Sequence, residues 1–164
     1  MAILKKIRKA IEKNGIMLLR ISVGIVFLWF GFLKYFGNFS PAEDLASRTI
    51  SFLTFGYMES EISMPLLATI ECIIGLGIIT KKHMKYVIPL LYFQMAGAIL
   101  PLFLFTSETW QSFFVPSLEG QYIIKNAVLI TAAIVLDATA KGGELITDPQ
   151  IAQKAKAEEE RKAV

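Results

Sequence analysis

Six polar side chains that could do chemistry interrupt stretches of the chain that are otherwise apolar. They carry charges or amide groups, and they are Arg20, Lys34, Glu71, Gln94, Lys125 and Asn126. An ionisable group at membrane depth costs roughly 3 kcal/mol or more, so it either faces a partner inside the protein or marks a functional site. Cationic and amide donors of this kind suit a carbonyl or an anion, and a carboxylate such as Glu71 could relay a proton.

The first cations recur with helical spacing. Arg20, Gly24, Phe27, Gly31 and Lys34 follow one another at steps of 4, 3, 4 and 3 residues, which places them on one stripe of a helix. The two glycines would let a neighbouring helix approach closely. We therefore predict that this stripe faces protein.

A second stripe surrounds the carboxylate. Ala68, Glu71, Gly75 and Ile78 share one helical face, and Glu71 lies near the middle of its apolar run. An unpaired carboxylate is most costly there, so Glu71 must pair or be protonated. Gly75 is a third predicted packing glycine.

Depth along the helices brings the charges to one level. At roughly 1.5 Å per residue, Lys34 and Lys125 approach the level of Glu71 from one side and Arg20 from the other. Three cations around one carboxylate leave an excess of positive charge that an anionic or carbonyl-bearing ligand could fill. The alternative is that Arg20 and Lys34 extend to lipid headgroups from the helix ends, while Glu71 makes one structural ion pair.

The amides have the same two interpretations. Gln94 shares its angular position with Gly97 and Pro101, and Asn126 is next to Lys125. Gln94 is either a ligand-binding group or, as we favour, a partner in an interhelical hydrogen bond. Gly97 is the fourth predicted packing glycine.

Four apolar runs must position these side chains. The chain is 54% hydrophobic with a mean hydropathy of +0.53, and a spanning helix needs about 20 apolar residues. The predicted spans are 16–36, 64–80, 86–106 and 122–140. We predict an all-α membrane protein, a four-transmembrane-helix bundle in one domain over 1–140, followed by a charged cytoplasmic tail over 141–164.

Basic residues set the predicted orientation. The loops 37–63 and 107–121 hold one basic residue, Arg48, whereas the opposite flanks are rich in lysine. Since cytoplasmic flanks collect Lys and Arg, both termini are predicted to be cytoplasmic. The basic residues behind the net charge of +3 would then contact anionic lipid headgroups. The expected partner is therefore a lipid bilayer, and no nucleic-acid binding is expected.

Two shorter helices flank the first span in this prediction. The amphipathic N-terminus is predicted to lie in the membrane interface, with Asn14 and Gly15 marking a turn into the membrane. Between spans one and two, Ser40 as N-cap, Pro41 at the first helical position and acids in the first turn predict a short extracytoplasmic helix.

The sequence does not contain the residues that dithiol, metal, nucleotide-binding or hydrolase chemistry would need. Cys72 is the single cysteine and His83 the single histidine, so no dithiol centre or histidine-based metal site is expected. The chain has no nucleotide-binding or hydrolase motif. Enzymatic activity therefore stays open, with no metal and no intrinsic cofactor predicted.

The stripe LLRISVGIVFLWFGFLKYF resembles the first span of the DoxX family, and Arg20, Gly24, Gly31 and Lys34 match its pattern. The resemblance continues through ECIIGLGII, QMAGAILPLFLF and VPSLEGQYIIKNAVLITAA, roughly residues 16–140. It implies a four-helix protein of the bacterial inner membrane, named after subunits of quinone-reducing complexes and linked in some relatives to oxidative-stress defence.

The leading functional hypothesis is a membrane subunit that binds quinone or a similar lipophilic ligand non-covalently at the buried polar residues and supports a partner oxidoreductase. The expected partners are other membrane or peripheral subunits, or further copies of the chain. One alternative is a non-catalytic scaffold or assembly factor, since a fold does not fix a function. A small-solute or proton transporter is the weaker alternative.

Overall fold

The computed structural model describes residues 2–37 and 43–140, together with residues 150, 153, 154 and 161. The described elements are helices α1 (Ala2–Leu33), α2 (Glu43–Leu53), α3 (Ser60–Thr80), α4 (Met84–Ile99), α5 (Pro101–Leu104), α6 (Thr106–Thr109) and α7 (Leu118–Ala140), and strands β1 (Trp110–Ser112) and β2 (Val115–Pro116). The predicted tail over 141–164 lies almost wholly outside the described residues.

Four helices in this region are long and apolar enough to cross a membrane. The candidate spans are Asn14–Leu33, Ser60–Thr80, Met84–Leu104 and Leu118–Ala140. The prediction of four spans is confirmed, with two of them beginning about one turn earlier than the apolar runs. Polar residues such as Ser60 and Glu119 start these helices, where water or headgroups can solvate them.

The long helices form a bundle in which α1 packs on α3, α3 on α4, α4 on α7, and α7 returns to α1. Buried aliphatic side chains from all four fill its centre, among them Val23, Ile74, Leu91 and Ala133. Large apolar side chains such as Phe93 point outward, as a lipid solvent requires. The connections that contain α2 and the β1–β2 hairpin lie at one end, here named the α2 end, and the turn with Lys81 lies at the other.

The predicted turn at Asn14 and Gly15 is wrong. Helix α1 runs without a break from Ala2 to Leu33, so the amphipathic N-terminal segment is helical but continuous with the first span. Gly15 costs a helix about 1 kcal/mol relative to alanine, and the helical residues on both sides outweigh that cost.

The predicted helix between spans one and two is confirmed as α2. Glu43 and Asp44 occupy its first turn, where acidic groups complement the helix dipole. Ser40 and Pro41, the predicted cap and first residue, lie outside the described residues. Helix α2 packs against α3 and α5 and so covers the α2 end of the bundle.

Pro101 divides the third span into α4 and α5. In a regular helix the N–H of residue 101 would bond to the carbonyl of Gly97, but proline has no N–H. The Gly97 carbonyl instead accepts the Leu100 N–H at 3.2 Å. A Cβ on Gly97 would meet nothing within 4 Å, so the prediction that Gly97 packs against a neighbouring helix is wrong; its carbonyl instead takes part in the break between α4 and α5.

A short antiparallel ribbon adds the only strands among the described residues. β1 pairs with β2, and Phe113 and Phe114 form the turn between them. Phe114 has a positive φ of 57°, and both rings are exposed. This segment contains aromatic and turn residues but no alternating pattern long enough to predict strands.

Candidate functional site

A polar triad of Lys34, Glu71 and Gln94 joins three spans inside the bundle. Lys34 Nζ donates to Glu71 Oε2 at 2.6 Å, and Gln94 Nε2 donates to Glu71 Oε1 at 2.7 Å. Both carboxylate oxygens therefore have a partner from a different helix. The hydrogen bond that Gln94 was predicted to make between helices is present.

The glycines of the two stripes make the Lys34–Glu71 contact possible. A Cβ on Gly31 would lie 2.8 Å from Glu71 Cβ, and a Cβ on Gly75 would lie 2.6 Å from the Leu28 nitrogen. Separations of this size exclude any side chain larger than hydrogen without movement of the backbone. Close approach of α1 and α3 is thus what brings Lys34 at the end of α1 to Glu71.

The ion pair is nearly shielded from solvent. The side chains of Lys34 and Glu71 are 12% and 8% exposed. Removing one member of such a pair leaves an uncompensated buried charge, which typically costs about 3–5 kcal/mol. The triad therefore both fixes the bundle and holds charge where the dielectric is low.

At least two hydrogen-bonding positions of the triad are unused within the described part of the chain. Gln94 Oε1 is buried without a hydrogen-bond partner. Lys34 Nζ donates to Glu71 and, more weakly, to the Phe30 carbonyl at 3.4 Å, whereas an ammonium has three N–H groups. The triad can thus offer one acceptor and one donor to a small polar group.

Arg20 lies away from this triad. Gly31 packs on Glu71 and so marks the level of that carboxylate on α1. Arg20 lies 11 residues before Gly31, which corresponds to about 16 Å along the helix. The prediction that Arg20 reaches the level of Glu71 is therefore wrong. The antiparallel packing of α1 and α3 moves Arg20 toward the Lys81 end, and its buried Nε has no hydrogen-bond partner among the described residues.

Lys125 and Asn126 make no hydrogen bond to the triad in the described part of the chain. Lys125 is exposed on α7, and its Nζ lies 5.4 Å from the centroid of the Tyr122 ring. Asn126 is half-buried, and the structure records no hydrogen bond from it to the triad within the described ranges. Counting residues along a span predicts the depth of a side chain in the membrane but not the direction in which it leaves the helix axis. Lys125 was therefore wrongly predicted to lie among the buried charges.

A second polar cluster, which was not predicted from the sequence, joins the two connections at the α2 end. Arg48 Nη1 donates to Glu108 Oε1 at 2.9 Å, and Nη2 donates to Oε2. Arg48 Nε lies 2.8 Å from Asp44 Oδ2, and the guanidinium carbon is 4.9 Å from the Phe105 centroid. The available signal was that Arg48 is the one basic residue in loops rich in acids.

This cluster perturbs the titration of its members. The hydrogen bonds from Arg48 lower the pKa of Glu108, and the same bonds raise the pKa of Arg48. Both side chains are more than a third exposed, so solvent screens the pair. The cluster is a surface clasp between α2 and α6, in contrast to the buried triad.

Metal chemistry has no support in the described residues. They contain no group of three or more His, Cys, Asp or Glu side chains arranged to hold an ion. Cys72 is half-buried, and its Sγ lies 3.9 Å from the Leu28 carbonyl.

Comparison with known proteins places the first three spans in a family. A family model described as DoxX matches residues 15–107, more than half of the 164-residue chain. The match includes all three residues of the triad and ends before the segment that contains Lys125, so the resemblance over the last span stays a prediction. No curated protein and no solved structure matches the chain.

Proposed function

Because the chain belongs to the DoxX family of membrane proteins, we propose that it is a membrane subunit that binds a quinone or a similar lipophilic ligand at the polar triad and supports a partner oxidoreductase or oxidative-stress defence. The observation that carries this proposal is Gln94 Oε1 beside the Lys34–Glu71 pair, which is buried and has no hydrogen-bond partner among the residues that the structure describes.

The unused positions of the triad match the chemistry of such a ligand. A quinone carbonyl accepts a hydrogen bond, and a quinol hydroxyl donates one. Lys34 has an unused N–H for the first, and Gln94 Oε1 is an acceptor for the second. A quinone supplies two-electron redox chemistry when it is bound, and the chain's own residues bind and orient its head group.

Glu71 is the group that can hold a proton at this site. Its carboxylate is fixed by Lys34 on one oxygen and by Gln94 on the other. A fixed carboxylate next to a bound oxygen can take up or release a proton without reorganising its surroundings. We assign Lys34 and Gln94 to binding and Glu71 to proton transfer at Oε1 or Oε2.

The proposed location is the cytoplasmic membrane of a bacterium, with both termini in the cytoplasm. Lysines are concentrated at the Lys81 end of the bundle, and the α2 end has Arg48 among acidic residues. Flanks rich in lysine stay on the cytoplasmic side, so the clasp and the hairpin would face the opposite compartment.

A second function, a non-catalytic scaffold, is favoured by the neutrality of the triad. With Arg20 and Lys125 elsewhere, one lysine faces one glutamate, and the excess of positive charge that argued for an anionic ligand is absent. In a scaffold the triad would serve to lock α1, α3 and α4 together, and the exposed aromatic rings of the hairpin would contact another protein.

Mass spectrometry of the chain purified from native membranes in mild detergent separates the two functions. We expect a stoichiometric quinone in the wild-type protein and its loss in Glu71→Gln and Gln94→Leu. Thr131→Val is the matched control, because the Thr131 hydroxyl bonds to its own helix at the Ala127 carbonyl. A protein complex that co-purifies without quinone would favour the scaffold instead.

A further inference from the structure

Lys125 is a cation on the outside of the bundle and within a span. It lies seven residues after Leu118, where α7 begins, which corresponds to a depth of about 10 Å. The residue is exposed, and the structure records no acidic partner for it in the described chain. An exposed ammonium at this depth is stabilised by reaching the headgroup layer and by a counter-charge from outside the chain.

The side chain is directed toward the α2 end. Its Nζ lies 5.4 Å from the Tyr122 ring centroid, and Tyr122 is nearly one turn closer to that end. Side chains on a helix tilt toward its N-terminus, and the N-terminus of α7 is at the α2 end. The ammonium is thus carried toward the headgroup layer of the leaflet at that end.

Two more hydrogen-bonding groups share this face. Gln121 and Tyr122 precede Lys125 by four and three residues, so all three lie together on the helix surface. Both are exposed, and the exposed Val128 follows one turn deeper. On this face, the hydrogen-bond donors lie nearer the α2 end and the apolar Val128 lies deeper in the membrane. A phospholipid has the same order, with its headgroup at the surface and its acyl chains deeper.

We propose that Gln121, Tyr122 and Lys125 form a binding site for the phosphate of an anionic phospholipid in the leaflet at the α2 end. Lys125 supplies the charge, and the Gln121 amide and Tyr122 hydroxyl supply neutral hydrogen bonds. A zwitterionic lipid is disfavoured because its own cationic group already balances the charge of the phosphate that Lys125 would bind. The site is independent of the ligand proposed for the triad.

Photolabelling tests this site directly. The chain is reconstituted in phosphatidylcholine vesicles that contain a small fraction of phosphatidylglycerol with a photoreactive group near the phosphate, and the labelled peptides are identified by mass spectrometry. We expect labelling within residues 118–128 that unlabelled phosphatidylglycerol displaces and that neither phosphatidylcholine nor soluble glycerol phosphate displaces.

Variants give the expected magnitude. Lys125→Gln should reduce labelling of this peptide about five-fold, the factor that corresponds to one lysine at an anionic surface, and Lys125→Arg should retain it. Lys82→Gln, an exposed lysine at the opposite end, should leave it within two-fold of wild type. Displacement by glycerol phosphate alone would point to a free-anion site and overturn the proposal.

Two further results would also overturn it. Equal labelling by photoreactive phosphatidylcholine would mean that the site does not recognise net charge. A carbodiimide cross-link between Lys125 and a carboxylate of a second copy would mean that another chain supplies the counter-charge. Loss of quinone in Glu71→Gln with retained phosphatidylglycerol labelling would separate this site from the triad.

Discussion

Two ion pairs among the described residues connect parts of the chain that are far apart in sequence, and these pairs differ most in their surroundings. Lys34 and Glu71 meet between two spans with side chains about a tenth exposed, whereas Arg48 and Glu108 meet between two connections with side chains 40% and 44% exposed. The exposed pair has the better hydrogen-bond geometry, a two-pronged fork. Burial nevertheless makes the loss of one partner far more costly in the first pair.

The largest expected effect is the loss of the buried carboxylate. Glu71→Ala leaves the Lys34 ammonium without its partner inside the bundle and should lower the free energy of unfolding by about 3–5 kcal/mol. Thermal unfolding in detergent, compared with wild type, measures this effect. The double variant Lys34→Met with Glu71→Leu removes both charges and should recover most of the stability. If the double variant is as unstable as Glu71→Ala, the unpaired charge of Lys34 is not the cause of the lost stability.

A substitution that pushes α1 and α3 apart should weaken the Lys34–Glu71 ion pair while it leaves both charged residues in place. In Gly75→Ala the new methyl group would meet the Leu28 nitrogen and the Gly24 carbonyl, so α1 must move away from α3. Overpacking of this kind typically costs about 1–3 kcal/mol. The matched control is Gly97→Ala, where the methyl group enters open space; it should be neutral or slightly stabilising. Unchanged melting of Gly75→Ala would contradict the close contact.

A smaller loss is expected at the third member of the triad. Gln94→Leu leaves Glu71 Oε1 without its donor, and an unsatisfied buried acceptor costs about 1–3 kcal/mol. Differential scanning fluorimetry of Gln94→Leu beside Gln94→Glu measures this cost. The second variant is expected to be worse than the first at neutral pH, because it places a second carboxylate next to Glu71. The reverse order would argue that Gln94 does not face this carboxylate.

The amino-acid pattern predicted the four spans, the helix α2 and the two glycine-lined stripes, because hydropathy and helical spacing depend on local sequence. It also identified Lys34, Glu71 and Gln94, whose depths agree. The positions of Arg20 and Lys125 could not be obtained in this way: the first depends on how far α1 slides along α3, and the second on the rotation of α7. The Arg48–Glu108 clasp joins positions 60 residues apart, and no local pattern relates them.

The smallest expected effect is at this clasp, and its sign follows from the lowered pKa of Glu108. In the unfolded chain this carboxyl titrates near its ordinary value of about 4.3. The clasp therefore contributes fully above that pH and is lost as the pH falls through the lower folded pKa. The melting temperatures of wild type and Glu108→Gln should differ slightly at pH 7 and converge in acid or at high salt.

Glu119→Gln, whose exposed carboxylate contacts Ser117 rather than Arg48, controls for general charge removal. A difference that grows on acidification would contradict the fork seen between Arg48 and Glu108.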